Sequence, residues 1–251
     1  MKGVLICGGT GTRLKPLTEI TNKSLLPVYD KPLIEYPLQV LLSAGIREIA
    51  VVTGTEHMEQ IARFLGSGRK AHVGATPPLR GSRFGCEFAF KVQEKPGGIA
   101  QALGLAEEFA DNDSVCAILG DNVYFDDLSP VIKSFEAGGH VFIKQVTDPE
   151  RFGVAEMEGN RIISIEEKPT KPKSDLAVTG CYVYDKHCFD IIRKLPPSPR
   201  GEIEITDVSR AYLERGALKA TVLREEWMDA GTFESLFRAA ELVRRRQGRH
   251  A

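Results

Sequence analysis

Gly8-Gly9-Thr10-Gly11-Thr12-Arg13 follows the apolar run Val4-Leu5-Ile6-Cys7 directly. Three glycines in four positions let the backbone turn tightly and aim N–H groups into one concavity, which suits phosphate oxygens. A plain tight turn is the other reading of such a loop. Two phosphate motifs are excluded: the dinucleotide fingerprint needs a third glycine where Leu14 stands, and the P-loop tripeptide Gly-Lys-Ser/Thr does not occur. What remains is a glycine-rich turn carrying Arg13, with Lys23 further on. A forked permanent charge and a mobile point charge both suit a triphosphate, although two solvated surface cations look the same in sequence.

Asp121 ends the most apolar run, Val115-Cys116-Ala117-Ile118-Leu119. In open α/β sheets the carboxyl ends of the strands face the ligand crevice. An Asp there can hold a hard divalent cation, or simply close an Asx-turn. Asp229 lies in Trp227-Met228-Asp229-Ala230-Gly231-Thr232, where it could join Asp121 at one Mg²⁺ or cap the following helix. The five histidines (His57, His72, His140, His187, His250) show no metal-type spacing and read as surface or structural. No Gly-x-Ser-x-Gly elbow supports a serine hydrolase. Arg244-Arg245-Arg246 complements a helix dipole, and Trp227 fits a core as well as a ligand platform.

These residues need elements to position them. Val4–Cys7, Ile49–Val52, Glu87–Val92 and Val115–Leu119 read as strands. Leu33–Ala44, Glu56–Leu65 and Ile99–Phe109 read as helices, with Pro37 making the first start late or kink. This alternation predicts an α/β fold with a mostly parallel sheet. A loop is expected over 66–85. Beyond it, His140–Val146, Phe152–Met157, Arg161–Ile165 and Ala177–Tyr184 read as strands, with a hairpin turn at Glu158-Gly159-Asn160. Helical spacing returns at Ile205–Arg215 and Phe233–Arg246. No repeat or linker appears, so the second half reads as an elaboration of the same sheet: one domain over 1–251.

Composition bounds the rest. The 251 residues carry 33 Lys+Arg against 34 Asp+Glu, a net charge of -1. That argues against a protein that coats nucleic acid or an acidic membrane. No apolar run approaches the roughly 18–20 residues of a membrane span, and the initial apolar run is too short for a signal-peptide core. Five dispersed cysteines (Cys7, Cys86, Cys116, Cys181, Cys188), without a Cys-x-x-Cys pair, read as reduced, buried thiols of a cytoplasmic protein.

Taken together, the motifs resemble the sugar nucleotidylyltransferases, most closely the glucose-1-phosphate thymidylyltransferases. The likeness runs from Lys2 to about Ala240. It is carried by the glycine-rich segment Gly8–Leu14, Lys23-Ser24-Leu25-Leu26-Pro27-Val28-Tyr29-Asp30-Lys31-Pro32, Gly98-Ile99-Ala100-Gln101-Ala102, Leu119-Gly120-Asp121-Asn122, Glu166-Glu167-Lys168-Pro169, Ala177-Val178-Thr179-Gly180 and Arg200-Gly201-Glu202-Ile203-Glu204-Ile205-Thr206-Asp207. Each is weak alone; together, in the family's order, they are specific.

The resemblance implies a Rossmann-like fold with a mixed, mostly parallel sheet flanked by helices, its nucleotide-binding part near 1–125 and its sugar-binding part near 126–251. It implies conversion of dTTP and α-D-glucose 1-phosphate to dTDP-glucose and pyrophosphate. By the same likeness, Gly8, Gly11, Thr12, Arg13 and Lys23 would hold the triphosphate, and Gln93 and Gly98 the thymine edge. Asp121 and Asp229 would ligate Mg²⁺. Gly153, Glu167, Lys168 and Val178 would hold the sugar phosphate. Arg13, Lys23, Asp121, Lys168 and Asp229 would form the catalytic set, in a homo-oligomer without nucleic-acid or membrane partners. Two substitutions depart from the family: Phe152 stands where tyrosine is common, and Cys7 replaces a small residue. The chain also ends where longer members continue toward a product-feedback site, so a short form with weakened or absent feedback by dTDP-rhamnose is expected. Two alternatives remain: the same fold acting on UTP or another hexose 1-phosphate, and a non-catalytic regulatory subunit.

Overall fold

The first apolar run forms β1 (Lys2–Cys7), whose successive side chains point to opposite faces of a sheet. In the computed structural model, which describes residues 1–9, 11–66 and 84–248, Val4 and Ile6 enter one core while Leu5 and Cys7 enter the other. β1 is flanked in parallel by β4 (Glu48–Gly54) and β6 (Val115–Leu119), and β4 by β5 (Glu87–Gln93). Covered on both faces, β6 can be a continuous apolar run.

The first core includes α3 (Ile99–Gly104), α4 (Glu107–Ala110), α6 (His187–Ile192) and α7 (Ile205–Glu214). The second includes α1 (Glu35–Ser43), α2 (Met58–Leu65) and α5 (Ser129–Lys133). The expected helix over 99–109 is thus two short helices, parted after Gly104, where helix propensity is poor. Pro37 sits in the first turn of α1, where a missing N–H costs little, so the helix begins just before it. The loop expected over 66–85, together with His72 and His250, lies mostly or wholly outside the described residues.

The second half adds β8 (Gly139–Gln145), β9 (Gly153–Glu158), β10 (Arg161–Glu167), β11 (Leu176–Tyr184) and β12 (Leu218–Val222) to the same sheet. β11 runs antiparallel and creates the feature that matters most. Its residues Cys181–Tyr184 pair with β6, whereas Ala177 and Val178 pair with Val154 and Gly153 of β9. The sheet therefore forks: β6 leaves one edge of β11 as β9 takes it over. Between the two contacts, Gly180 donates its N–H to Asn122 Oδ1 at 3.1 Å, and a Cβ there would come 2.7 Å from that oxygen.

Several short elements were not expected from sequence. The polar stretch after β1 holds one-turn 3₁₀ segments and the two-residue ladder β2–β3 (Pro27–Val28, Lys31–Pro32). β7 (Asn122–Tyr124) and β13 (Trp227–Asp229) form a separate antiparallel pair, and α5, α6 and β12 were also missed. The last helix, α8 (Phe233–Gln247), starts at a reciprocal cap between Thr232 and Ser235 and packs near β2. Asp229 is not its cap. All five cysteines are buried and unpaired.

Candidate active site

The fork opens a crevice of about 680 Å³ at the carboxyl ends of the parallel strands, within the range of small-molecule sites. The glycine-rich turn forms one wall. Gly9 takes φ +95 and Gly11 φ +59, and Gly11 opens the one-turn segment Thr12–Leu14. Thr18 Oγ1 donates to Gly11 O at 2.8 Å and fixes the turn from behind. Gly8, Gly9, Thr12 and Arg13 thereby line the crevice; Gly11, expected among the ligand residues, does not.

The carboxylates stand on the floor. Antiparallel β7–β13 pairing sets Asp229 opposite Asn122, and Ala230 N–H donates to Asp121 O at 2.9 Å. Two residues far apart in sequence thus meet. Asp121 is buried and ion-paired with Lys23. Burial alone would push its carboxyl up, but the ammonium beside it and the Asn122 amide hold it below the usual value. Asp229 goes the other way, to about 6, through burial and then the negative charge of Asp121. Arg151 Nη2 lies 3.2 Å from Asp229 Oδ2, and its other nitrogen pairs with Asp148. Asn122 is the hub. Its Nδ2 donates to Asp121 Oδ1 at 2.9 Å, while its Oδ1 accepts Trp227 Nε1–H at 2.7 Å as well as the Gly180 N–H. Trp227 is consequently both core and crevice wall, its ring edge-on to Phe152 at 5.2 Å.

The far wall comes from three segments. Gly153 pairs with Glu167 at the end of the β9–β10 hairpin. Glu167 accepts from Thr206 Oγ1 and, at 3.3 Å, from Arg200 Nη2. Arg200 also holds Glu202 and buried Glu204. Lys168 has φ +42, unusual for a side chain of this size, and its N–H donates to Phe152 O. Gly98, with φ +96, is tied to this wall. Ala100 N–H donates to Ile203 O, Ile203 N–H to Gly97 O, and a Cβ on Gly98 would fall 2.4 Å from Ile203 O.

The charges do not cancel evenly. Lys23, Arg151 and Arg200 are engaged by carboxylates. Arg13 makes no ion pair among the described residues, and Lys168 has only Glu167 at 3.8 Å. Two cations of the crevice lining are therefore available for anions: Lys168, and Arg13, whose charge acts on the neighbouring Asp229. Gly8, Thr12, Arg13, Lys23, Gln93, Gly98, Asp121, Gly153, Glu167, Lys168, Val178 and Asp229, all singled out in the sequence, converge here. Asn122, Arg151, Arg200, Glu204 and Thr206 were given no site role from sequence, and Trp227 was left open between core and ligand platform. Arg200, Glu204 and Thr206 stood in a segment already quoted for the resemblance, which was the available signal. Among the described residues, no group of three or more His, Cys, Asp or Glu forms a cation site, and no helix is long and apolar enough to cross a membrane.

Comparison with known proteins bears on this geometry. A family model described as nucleotidyl transferase matches residues 2–246. A glucose-1-phosphate thymidylyltransferase of Neisseria meningitidis serogroup A is 47% identical over 250 residues, covering 97% of this chain and 82% of that protein. One of Mycobacterium tuberculosis H37Rv is 42% identical over 257 residues, 99% of this chain and 85% of its own. A crystal structure from Bacillus anthracis, described as a glucose-1-phosphate thymidylyltransferase in complex with a sucrose, superposes with a TM-score of 0.88 at 47% identity, covering 97% and 95% of the two chains. A UDP-glucose pyrophosphorylase complexed with UDP-glucose gives 0.83 at 26% identity, covering 98% of each.

Proposed function

Since the chain belongs to the nucleotidyl transferase family, we propose that it joins dTTP to α-D-glucose 1-phosphate, forming dTDP-glucose and releasing pyrophosphate. The observation that carries this reading is that Arg13, without an ion pair among the described residues, and Lys168, with one only at 3.8 Å, line one crevice together with the Asp121–Asp229 pair. Both reactants are polyanions, and bringing them together requires fixed positive charge at two separate points.

The nucleotide enters along the glycine-rich turn. Gly8, Thr12 and Arg13 hold the triphosphate with Lys23 beside them, Gly11 shaping the turn that presents them, and Gln93 and Gly98 meet the thymine edge. The sugar phosphate lies against Gly153 and Val178, with Glu167 on sugar hydroxyls and Lys168 on the phosphate. Thr206 and Arg200 fix the Glu167 carboxylate as an acceptor. A sugar-phosphate oxygen, already ionised at neutral pH, attacks the α-phosphorus in line as pyrophosphate leaves. No general base is needed, so the chain's work is positioning and charge stabilisation. Lys168 orients the attacking phosphate, and Arg13 stabilises the departing charge. The two parts are not strictly separate, because Asp229 returns from the second half to the nucleotide side.

A divalent cation fits the donor set. Two carboxylates close enough for one to raise the other's pKa are relieved by a shared positive charge, and oxygen donors suit a hard ion such as Mg²⁺. Asp121 and Asp229 would hold it, and when bound it supplies charge neutralisation at the phosphates.

The same geometry would admit uracil, which presents the same ring edge as thymine, and the structural likeness to a UDP-glucose pyrophosphorylase favours testing it. Pyrophosphate release should be measured for four nucleoside triphosphates against three hexose 1-phosphates, with and without Mg²⁺. The highest kcat/KM is expected for dTTP with glucose 1-phosphate. A higher value for UTP would move the substrate, and no release with any pair would leave only the regulatory-subunit reading.

A further inference from the structure

Gln93, at the end of β5, is buried in the crevice wall. Its Nε2 lies 3.1 Å from Gly98 O and 2.7 Å from Gln101 Oε1. A carbonyl can only accept, so the end of Gln93 facing Gly98 is the amide nitrogen. Both of its hydrogens are then engaged. The remaining atom, Oε1, faces the glycine-rich turn, where a Cβ on Gly8 would come within 2.9 Å of it. The crevice thus meets an acceptor at this point and no donor from the same side chain.

Gln101 does not itself line the crevice. Its amide lies against Gly97: a Cβ there would come 2.5–2.6 Å from its Cδ, Oε1 and Nε2. The missing side chain at Gly97 makes the seat, and the third residue of α3 reaches back through it to grip Gln93.

We propose that Gln101, seated on Gly97, is a positioning residue that locks the Gln93 amide with its oxygen toward the base, so that the site selects bases carrying a ring N–H. Thymine and uracil offer N3–H to that oxygen. Cytosine offers an unprotonated N3, which places two acceptors face to face and leaves both without a donor. The inference deepens the proposed function, resting on it only for a nucleotide occupying this end of the crevice.

The test measures dTTP and dCTP, both by calorimetric binding and as kcat/KM with glucose 1-phosphate, in the parent, Gln101→Leu, Gln101→Met and Gln101→Glu. Gln101→Glu retains an acceptor for Gln93 Nε2 and should keep the parental dTTP:dCTP ratio. Gln101→Leu and Gln101→Met free one Gln93 hydrogen and let the amide rotate, so the ratio should fall by about tenfold, with kcat at saturating dTTP unchanged. Should one of the two apolar variants fail to fold, the other still reports. An unaltered ratio in the folded apolar variants, or equal losses for both nucleotides, would overturn the positioning role and leave the dTTP reading standing. A parent that binds neither nucleotide would instead sink the proposed function, and this inference with it.

Discussion

The two ends of the crevice are built by different means. The nucleotide end uses main chain and neutral amides: the Gly8–Gly9 turn, Gly98 pressed against Ile203 O, and Gln93 held by Gln101, with Arg13 as its one available cation among the described residues. The sugar end uses charged side chains in a net, where Arg200 ties Glu167, Glu202 and Glu204 together and Thr206 caps Glu167. A main-chain wall tolerates little change in shape. A charged wall tolerates shape change but not loss of a partner, because each deletion leaves a carboxylate or guanidinium unpaired.

Substitutions can break or sharpen that contrast. The largest effect is expected where the two ends meet. Asp121→Asn should cut kcat by about 10³-fold while the thermal transition persists, because it removes a carboxylate that would hold the divalent cation and that anchors Lys23; parental turnover would refute its placement. Next, Arg13→Ala and Lys168→Ala should each cost about 10²-fold in kcat/KM, but with opposite signatures. Steady-state titrations should raise the KM for dTTP in the first and for glucose 1-phosphate in the second.

Gly98→Ala tests the main-chain wall. With φ +96 and a Cβ 2.4 Å from Ile203 O, it should lower stability by about 1–3 kcal/mol in urea unfolding.

An effect of similar size and opposite sign, shrinking at low pH, concerns Asp229. Its carboxyl titrates near 6 when folded against 3.8 for the free group. A raised acid makes the ionised form costly in the folded state, so the penalty is fully present above about pH 6 and shrinks as pH falls toward 4. Asp229→Asn should therefore stabilise the metal-free protein by about 1–3 kcal/mol at pH 7.5, and by less at pH 4.5, even as it loses activity. Urea midpoints at the two pH values check this.

The same contrast explains what could be read in the sequence. The nucleotide end is local: the strand β1, the turn beside it and Arg13 are consecutive, and the continuous apolar run of β6 announces a strand covered on both faces. The sugar end is assembled from Gly153, Glu167-Lys168 and Arg200–Thr206, which no periodicity links, so its residues were reached only through family resemblance. β7 and β13, three residues each, are too short for a pattern, although their pairing is what brings Asp121 and Asp229 together. The forking of β11 is likewise invisible to a window of side-chain types, since it depends on which edge each half of the strand meets. Gly104 gave the one local warning that the helix expected over 99–109 would break.

The most direct measurement of the whole account is a crystal structure with dTDP-glucose and Mg²⁺. The account predicts thymine against Gln93, the diphosphate beside Arg13 and Lys168, glucose against Glu167, and the cation between Asp121 and Asp229. Thymidine bound outside the fork, or the two aspartates turned away from the diphosphate, would contradict it.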